Sequence, residues 1–339
     1  MIAALLSASA ATPAGPQYAA SLGGVAEAMW ELPGDPHAVL LLAHGCSHSG
    51  TDFWAPTASC PKALGLPEEV RIVKAALSAG FAVVAITSSD RASGCWSFEA
   101  DGPLVRDALA AWFSVTGLKP SLPLVAFGAS SGGAFVLQLP ALVPHVTAVV
   151  SQIMAVPPSM LPPTQPPTLF VHMPRDQRTA AFVHKCVKRL QNAGVPSRQL
   201  EVHRQRPTAA FFAERIERLS PEGAASLHGA LKRAGLLDTD GFLRDDPRRS
   251  GWREALEAAP GLRAALPGPA PGGAPDSLVP DESAVAEALN VAWAAHEIAS
   301  DPMAQTLQWL REVMPPVGAQ PHSPPARAAG SVGASELRE

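Results

Sequence analysis

The chain has 339 residues, 47% of them hydrophobic, and its 26 Lys and Arg against 30 Asp and Glu give a formal net charge of −4. That length can bury a sizeable core and suits one large domain or a domain with an insertion. The mixed, slightly acidic charge offers no footprint for a polyanion, so no nucleic-acid partner is expected, and no apolar run reaches the ~18 residues a membrane helix needs.

The first stretch, "MIAALLSASAATPAG", has a short apolar start, no Lys or Arg before it, and small residues after it. Residues 1–20 therefore read as a disordered leader or a weak signal peptide. A soluble protein of the cytoplasm or plastid is expected rather than a secreted one. From residue 21 to 205 short apolar runs alternate with longer amphipathic ones, the pattern of a mostly parallel sheet with helices on both faces. Strands are expected at 25–32, 38–45, 81–88, 122–128, 146–154, 167–173 and 197–204, and helices at 67–79, 101–114, 131–139 and 177–193. Gly80 and Gly194 stop two of these helices.

Beyond residue 205 the character changes. Residues 206–258 are polar and helical without a buried-strand run, which reads as an inserted helical cap. Residues 259–280 are so rich in Pro and Gly that a mobile linker is expected. Residues 281–314 supply C-terminal helices that complete the core, and 315–339 read as a disordered tail. The four cysteines (Cys46, Cys60, Cys95, Cys186) match no metal-knuckle spacing, so neither a disulfide scaffold nor a structural zinc is expected.

The stretch "LVAFGASSGGAF" holds Gly128-Ala129-Ser130-Ser131-Gly132, a G-x-S-x-G pattern between an apolar strand and a helix. A serine in such a strained strand-to-helix turn is exposed for attack, and its flanking glycines are needed because side chains there would collide with strand and helix. Ser130 occupies the nucleophile position. The bland alternative is a Gly-rich turn with solvated hydroxyls. Earlier, "LLLAHGCSHSGTDFW" follows a strand and can present a second backbone N–H to a developing oxyanion, so the expected donors are Cys46 and Ser131. Cys46 then acts through its backbone rather than as a thiol nucleophile.

His44, His48 and Asp52 recur every four residues and raise a competing metal reading. Gly45 and Gly50 argue against the helix that reading needs, and no fourth ligand is evident, so no metal and no cofactor are expected.

A serine needs a histidine to take its proton and an acid to orient that histidine. The chain order for this arrangement is Ser, acid, His. Asp176, in "TLFVHMPRDQRTA", lies just past a strand, two strands after the elbow, where it can serve as the acid, as the N-cap of the next helix, or both. Asp90 is the reserve acid. For the histidine, His296 in "AAHEIAS" precedes the last amphipathic helix once cap and linker are excised. Its alternative is a half-buried helix histidine beside Glu297. His203 is the reserve.

With these residues assembled, the chain resembles the α/β-hydrolase superfamily, and more narrowly a group of plant and green-algal α/β-hydrolase-like proteins. The stretches that carry the resemblance are "LLAHGCSHSGTDFW", "GLPEE", "GFAVVAITSSDR", "GCWSF", "FGASSGGAF", "FVHMPRD" and "AAHEIAS", between residue 38 and about 300. The resemblance implies an α/β-hydrolase fold, in which residues 206–258 would be a helical cap after the last strand, and serine-dependent cleavage of an ester, thioester or amide. A carboxylesterase or lipase-like enzyme with a small-molecule acyl substrate is the leading expectation. A catalytically silent scaffold that binds a small molecule or protein is the alternative, since fold alone does not determine function.

Overall fold

The computed structural model describes residues 15–24, 26–268 and 276–314. Up to residue 201 the order is β1 (Gln17–Leu22), β2 (Ala26–Glu31), β3 (Ala38–Ala43), α1 (Pro67–Ser78), β4 (Phe81–Ile86), α2 (Phe98–Thr116), β5 (Leu124–Ala129), α3 (Ser131–Gln138), β6 (Val146–Gln152), β7 (Thr168–His172), α4 (Gln177–Asn192) and β8 (Ser197–Glu201). The strands form one eight-stranded sheet in the order β1-β2-β4-β3-β5-β6-β7-β8. Strand β2 runs antiparallel to both β1 and β4, and every other neighbouring pair is parallel. The fold is that of an α/β-hydrolase.

The continuous apolar runs follow from helices covering both faces. In β3, "AVLLLA" is buried at all six positions. Leu40 and Leu42 point to the side packed by α1 and by α10 (Met303–Val313), while Val39 and Leu41 point to the side packed by α2, α3 and α4. Each such leucine contributes roughly 1.5–3 kcal/mol by leaving water. Helix α1 starts with Pro67 in its first turn and places Glu68 and Glu69 at its positive N-terminal end.

A second helical layer follows the sheet: α5 (Ala209–Arg215), α6 (Pro221–Arg233), α7 (Trp252–Glu257), α8 (Leu262–Ala265) and α9 (Ala284–Trp293). These helices share a hydrophobic cluster of their own, with Phe212, Leu227, Leu231, Trp252, Leu256, Leu262, Leu289 and Val291 inside it. Charged contacts bind this layer to the sheet unit. Buried Arg215 on α5 lies 3.3 Å from Glu68 and also pairs with Asp301. No helix among the described residues is long and apolar enough to cross a membrane.

The structure moves three boundaries. The leader cannot extend to residue 20, because Gln17–Leu22 pairs with β2; this short edge strand has weak alternation and exposed small residues, so it carries little hydrophobic signal. The stretch 259–268 is packed rather than a free linker, since Leu262 and Leu266 lie one helical turn apart and are buried in the second layer, where Leu278 joins them. Helix α9 belongs to that layer too, so only α10 of the C-terminal pair completes the main core. Residues 1–14, 269–275 and 315–339, which hold the rest of the leader, the middle of the linker and the tail, lie outside the described residues.

Candidate active site

At the end of β5 the backbone turns sharply into α3, and Ser130 at the turn has φ 52° and ψ −119°. A side chain bearing residue rarely adopts this conformation, which costs on the order of 1–3 kcal/mol. The flanking glycines make the turn possible. A Cβ on Gly128 would lie 2.2 Å from the carbonyl oxygen of Gly132, and one on Gly132 would lie 2.3 Å from that of Ala43. The Ser130 N–H donates to Gln152 on β6 (3.0 Å) and its carbonyl accepts from Ala134 N–H (3.1 Å), so the turn is held on two sides.

The Oγ–H of Ser130 donates to Nε2 of His296 at 3.0 Å, and Nδ1–H of His296 donates to Oδ2 of Asp176 at 3.0 Å. Ser130, His296 and Asp176 thus form one hydrogen-bonded chain. His296 lies in the loop between α9 and α10, not inside a helix. Asp176 also caps α4, accepting from the N–H (3.0 Å) and the hydroxyl (2.6 Å) of Thr179. Burial pushes the Asp176 carboxyl up, but the donors from Thr179 and His296 outweigh it and hold the group below the usual carboxylate range. The reserve residues are elsewhere: Asp90 caps its own exposed turn through Ala92 and Ser93, and His203 is exposed and pairs with Glu201.

The loop after β3 lies against the elbow, since a Cβ placed on Gly45 would sit 3.7 Å from the Cβ of Ser130. Among the described residues, the backbone N–H groups of Cys46 and Ser131 donate to no acceptor, which leaves both free for an incoming oxygen. The loop is braced from beneath. His44 donates from Nδ1 to the carbonyl of Gly45 (2.7 Å) and accepts at Nε2 from Ser88 N–H (3.0 Å), and burial pushes its pKa down to about 4. Both nitrogens of His44 are therefore occupied, and Gly50–Phe53 forms a 3-10 turn rather than an α-helix, so the metal reading of His44, His48 and Asp52 does not fit. His48 bonds to Asp52 at 3.3 Å; burial opposes its charge, but Asp52 and the buried Glu69 outweigh this and raise its pKa to about 9.

A disulfide joins Cys46 to Cys95. Spacing alone missed it because the two cysteines are 49 residues apart; they meet because β3 and β4 are parallel neighbours whose following loops emerge side by side. The bridge ties the loop bearing a free N–H to the loop after β4. Other supports were equally invisible in the sequence. Gln152 on β6 donates to the carbonyl of Ala299 and accepts from its N–H, both at 2.9 Å. Glu68 accepts from the N–H (2.6 Å) and hydroxyl (2.7 Å) of Ser300, and Arg248 donates to the carbonyl of His296. Arg175 stacks 3.7 Å over the ring of Trp293, joining the Asp176 loop to the end of α9.

The geometry permits a proton on Ser130 Oγ to pass to His296 as the oxygen attacks an electrophilic carbon, with Asp176 stabilising the imidazolium. A cavity of about 370 Å³ lies between the ends of β2 and β4 and helix α2, lined by Glu27, Ser88, Ser89, Arg91 and Asp101 among others, and its lining does not include Ser130, His296 or Asp176.

No family model and no curated protein matches the chain. Among solved structures it is similar to a dienelactone hydrolase from Anabaena variabilis, with 23% identity over 56% of this chain and 87% of that one at a TM-score of 0.40. It is also similar to an acetyl xylan esterase from Aspergillus awamori (15% identity, 53% of this chain and 80% of that one, TM-score 0.40). An α/β serine hydrolase without lid from Xanthomonas campestris compares likewise (17% identity, 56% and 85%, TM-score 0.39). The strand order, with β2 antiparallel to both of its neighbours, and the strained turn from β5 into α3 define the fold of this chain.

Proposed function

We propose that the chain is a serine hydrolase, carboxylesterase-like or lipase-like, that cleaves an ester or related acyl bond of a small-molecule substrate. The observation that carries this reading is the unbroken hydrogen-bond chain Ser130–His296–Asp176, both links at 3.0 Å, with the serine in a strained strand-to-helix turn. Ser130 Oγ attacks the acyl carbon while His296 Nε2 takes its proton. The Cys46 and Ser131 N–H groups receive the oxyanion of the tetrahedral intermediate. On collapse the alkoxide leaves with the proton from His296, and the acyl group stays on Ser130. Water, deprotonated by the same histidine, then attacks the acyl-enzyme and releases the acid.

The nearer likeness, to plant and green-algal hydrolase-like proteins, belongs to this reading and rests on the motifs quoted above. The Cys46–Cys95 bridge supports work in an oxidising compartment, against the expectation of a cytoplasmic or plastid protein rather than a secreted one.

A fluorophosphonate probe tests the proposal. The parent protein should take up one equivalent and Ser130→Ala none. No adduct on folded parent protein, or an adduct that survives Ser130→Ala, overturns it and favours the silent scaffold.

A further inference from the structure

Strands β7 and β8 are parallel neighbours at one edge of the sheet, and their register sets His172 opposite Glu201. Side chains of paired residues project on the same face. That face is the one α4 covers, because Phe170, two residues before His172, packs with Val183, Cys186 and Leu190 of α4. His184, next to Val183 on α4, meets the His172 ring edge-on with ring centres 5.8 Å apart. Three elements thereby converge two imidazoles and a carboxylate at the sheet edge, with one ligand atom from each within 4.8 Å of the others.

The floor of this cluster is chemically unfinished. His172 is only 1% exposed, yet neither of its ring nitrogens has a hydrogen-bond partner among the described residues. Buried polar nitrogens are rarely left unpaired without a reason. Its Nε2 faces Glu201 Oε1 at 3.9 Å, too long for a hydrogen bond. A tetrahedral zinc site with bonds of about 2.0–2.1 Å separates its ligand atoms by about 3.3 Å, so small side-chain rotations bring these groups into range. The other face of Glu201 is held by His203, whose Nε2 lies 3.3 Å from Oε2 and would orient the carboxylate. The two outer groups, His184 and Glu201, are exposed, so an ion can enter and keep water in its remaining positions.

We propose that His172, His184 and Glu201 bind one divalent first-row transition metal ion, with zinc as the reference case, stapling α4 to the β7–β8 edge. Two imidazoles and one carboxylate suit such an ion, whereas magnesium and calcium call for an all-oxygen set. The site is separate from Ser130 and independent of the hydrolase proposal.

The test is calorimetric titration of zinc alone into full-length protein stripped with a chelator, alongside His184→Ala and Glu201→Gln. Both positions are exposed, so neither substitution threatens folding. The expected result is one tight equivalent in the parent, weakened tenfold or more in each variant, with a higher parent Tm in zinc and none of these effects with magnesium. Absence of zinc binding by the folded parent, or binding that both variants retain unchanged, overturns the proposal. Neither arm reads ester turnover.

Discussion

Gln152 and Ala299 are joined by two hydrogen bonds of 2.9 Å, amide to amide, across 147 residues of sequence. Gln152 is fully buried at the end of β6, and its own carbonyl accepts from the N–H of Ser130. One residue therefore touches both the turn that carries the serine and the loop that carries the histidine. Its side chain is the nearest thing to a ruler for the 3.0 Å separation between Oγ and Nε2.

Replacing Gln152 with Leu deletes both side-chain bonds and leaves the Ala299 backbone groups buried without partners. The expected loss is about 1–3 kcal/mol of stability. Catalysis should suffer more, because a misplacement of about 1 Å can lower rates 10²-fold. The rate of fluorophosphonate labelling at Ser130, measured on folded protein, should fall about tenfold or more. A labelling rate within twofold of the parent would show that Ala299 needs no such support.

At Ser130 itself stability and chemistry pull apart. The φ of 52° is strained for serine and free for glycine. Ser130→Gly should therefore abolish labelling while raising stability by about 1 kcal/mol, a modest increase in Tm on thermal melting. A variant that melts below the parent would mean that the hydroxyl's bond to His296 outweighs the strain.

What the sequence disclosed follows a physical line. Gly128, Ser130 and Gly132 are legible because the steric demands of an elbow are local: five consecutive residues contain the strand end, the strained serine and both spaces a side chain would fill. Asp176 is legible for the same reason, since a strand end and a helix start meet around it. His296 needed the intervening second layer to be set aside, and its loop is held by partners 147 and 232 residues away that no periodicity reveals. The main strands were readable from continuous apolar runs because both sheet faces are covered. Strand β1 was not, being a short edge strand, and neither was the packing of Leu262 and Leu266 within a Pro- and Gly-rich stretch. The Cys46–Cys95 bridge depends on which loops lie side by side, a property of strand order rather than of spacing.

That bridge should matter to both stability and turnover. It closes a loop spanning 49 residues, for which chain entropy predicts about 4 kcal/mol of stabilisation. It also anchors the backbone of Cys46, whose N–H is one of two free donors beside Ser130. Cys95→Ser should lower Tm under non-reducing conditions and slow ester hydrolysis through kcat more than KM, because the oxyanion forms only after binding. Unchanged kcat in the variant would remove Cys46 from the oxyanion site.

A buried acidic pair makes stability depend on pH. Glu69 on α1 and Glu287 on α9 face each other where the second layer meets the sheet unit. Burial, more than any other cause, raises Glu69 to about 7, and burial together with Glu69 raises Glu287 well above the usual carboxylate range. Both groups hold protons in the folded chain that they would lose near pH 4.5 when unfolded. The folded state thus binds more protons between pH 4.5 and about 7, and stability falls as pH rises through that window. Half-buried His48, raised to about 9 by Asp52 and Glu69, extends the fall toward alkaline pH. Glu287→Gln keeps a neutral amide where a neutral acid sits, and its oxygen can still accept from the N–H of Glu68, now accepted by Glu287 at 3.0 Å. At about pH 5.5 the variant should melt close to the parent, and at about pH 8.5 it should melt higher, because unfolding at that pH lets the parent's Glu287 carboxyl ionise in water, a drive toward the unfolded state that the amide lacks. Equal losses of Tm at both pH values would mean that the pair is held by packing rather than by a shared proton.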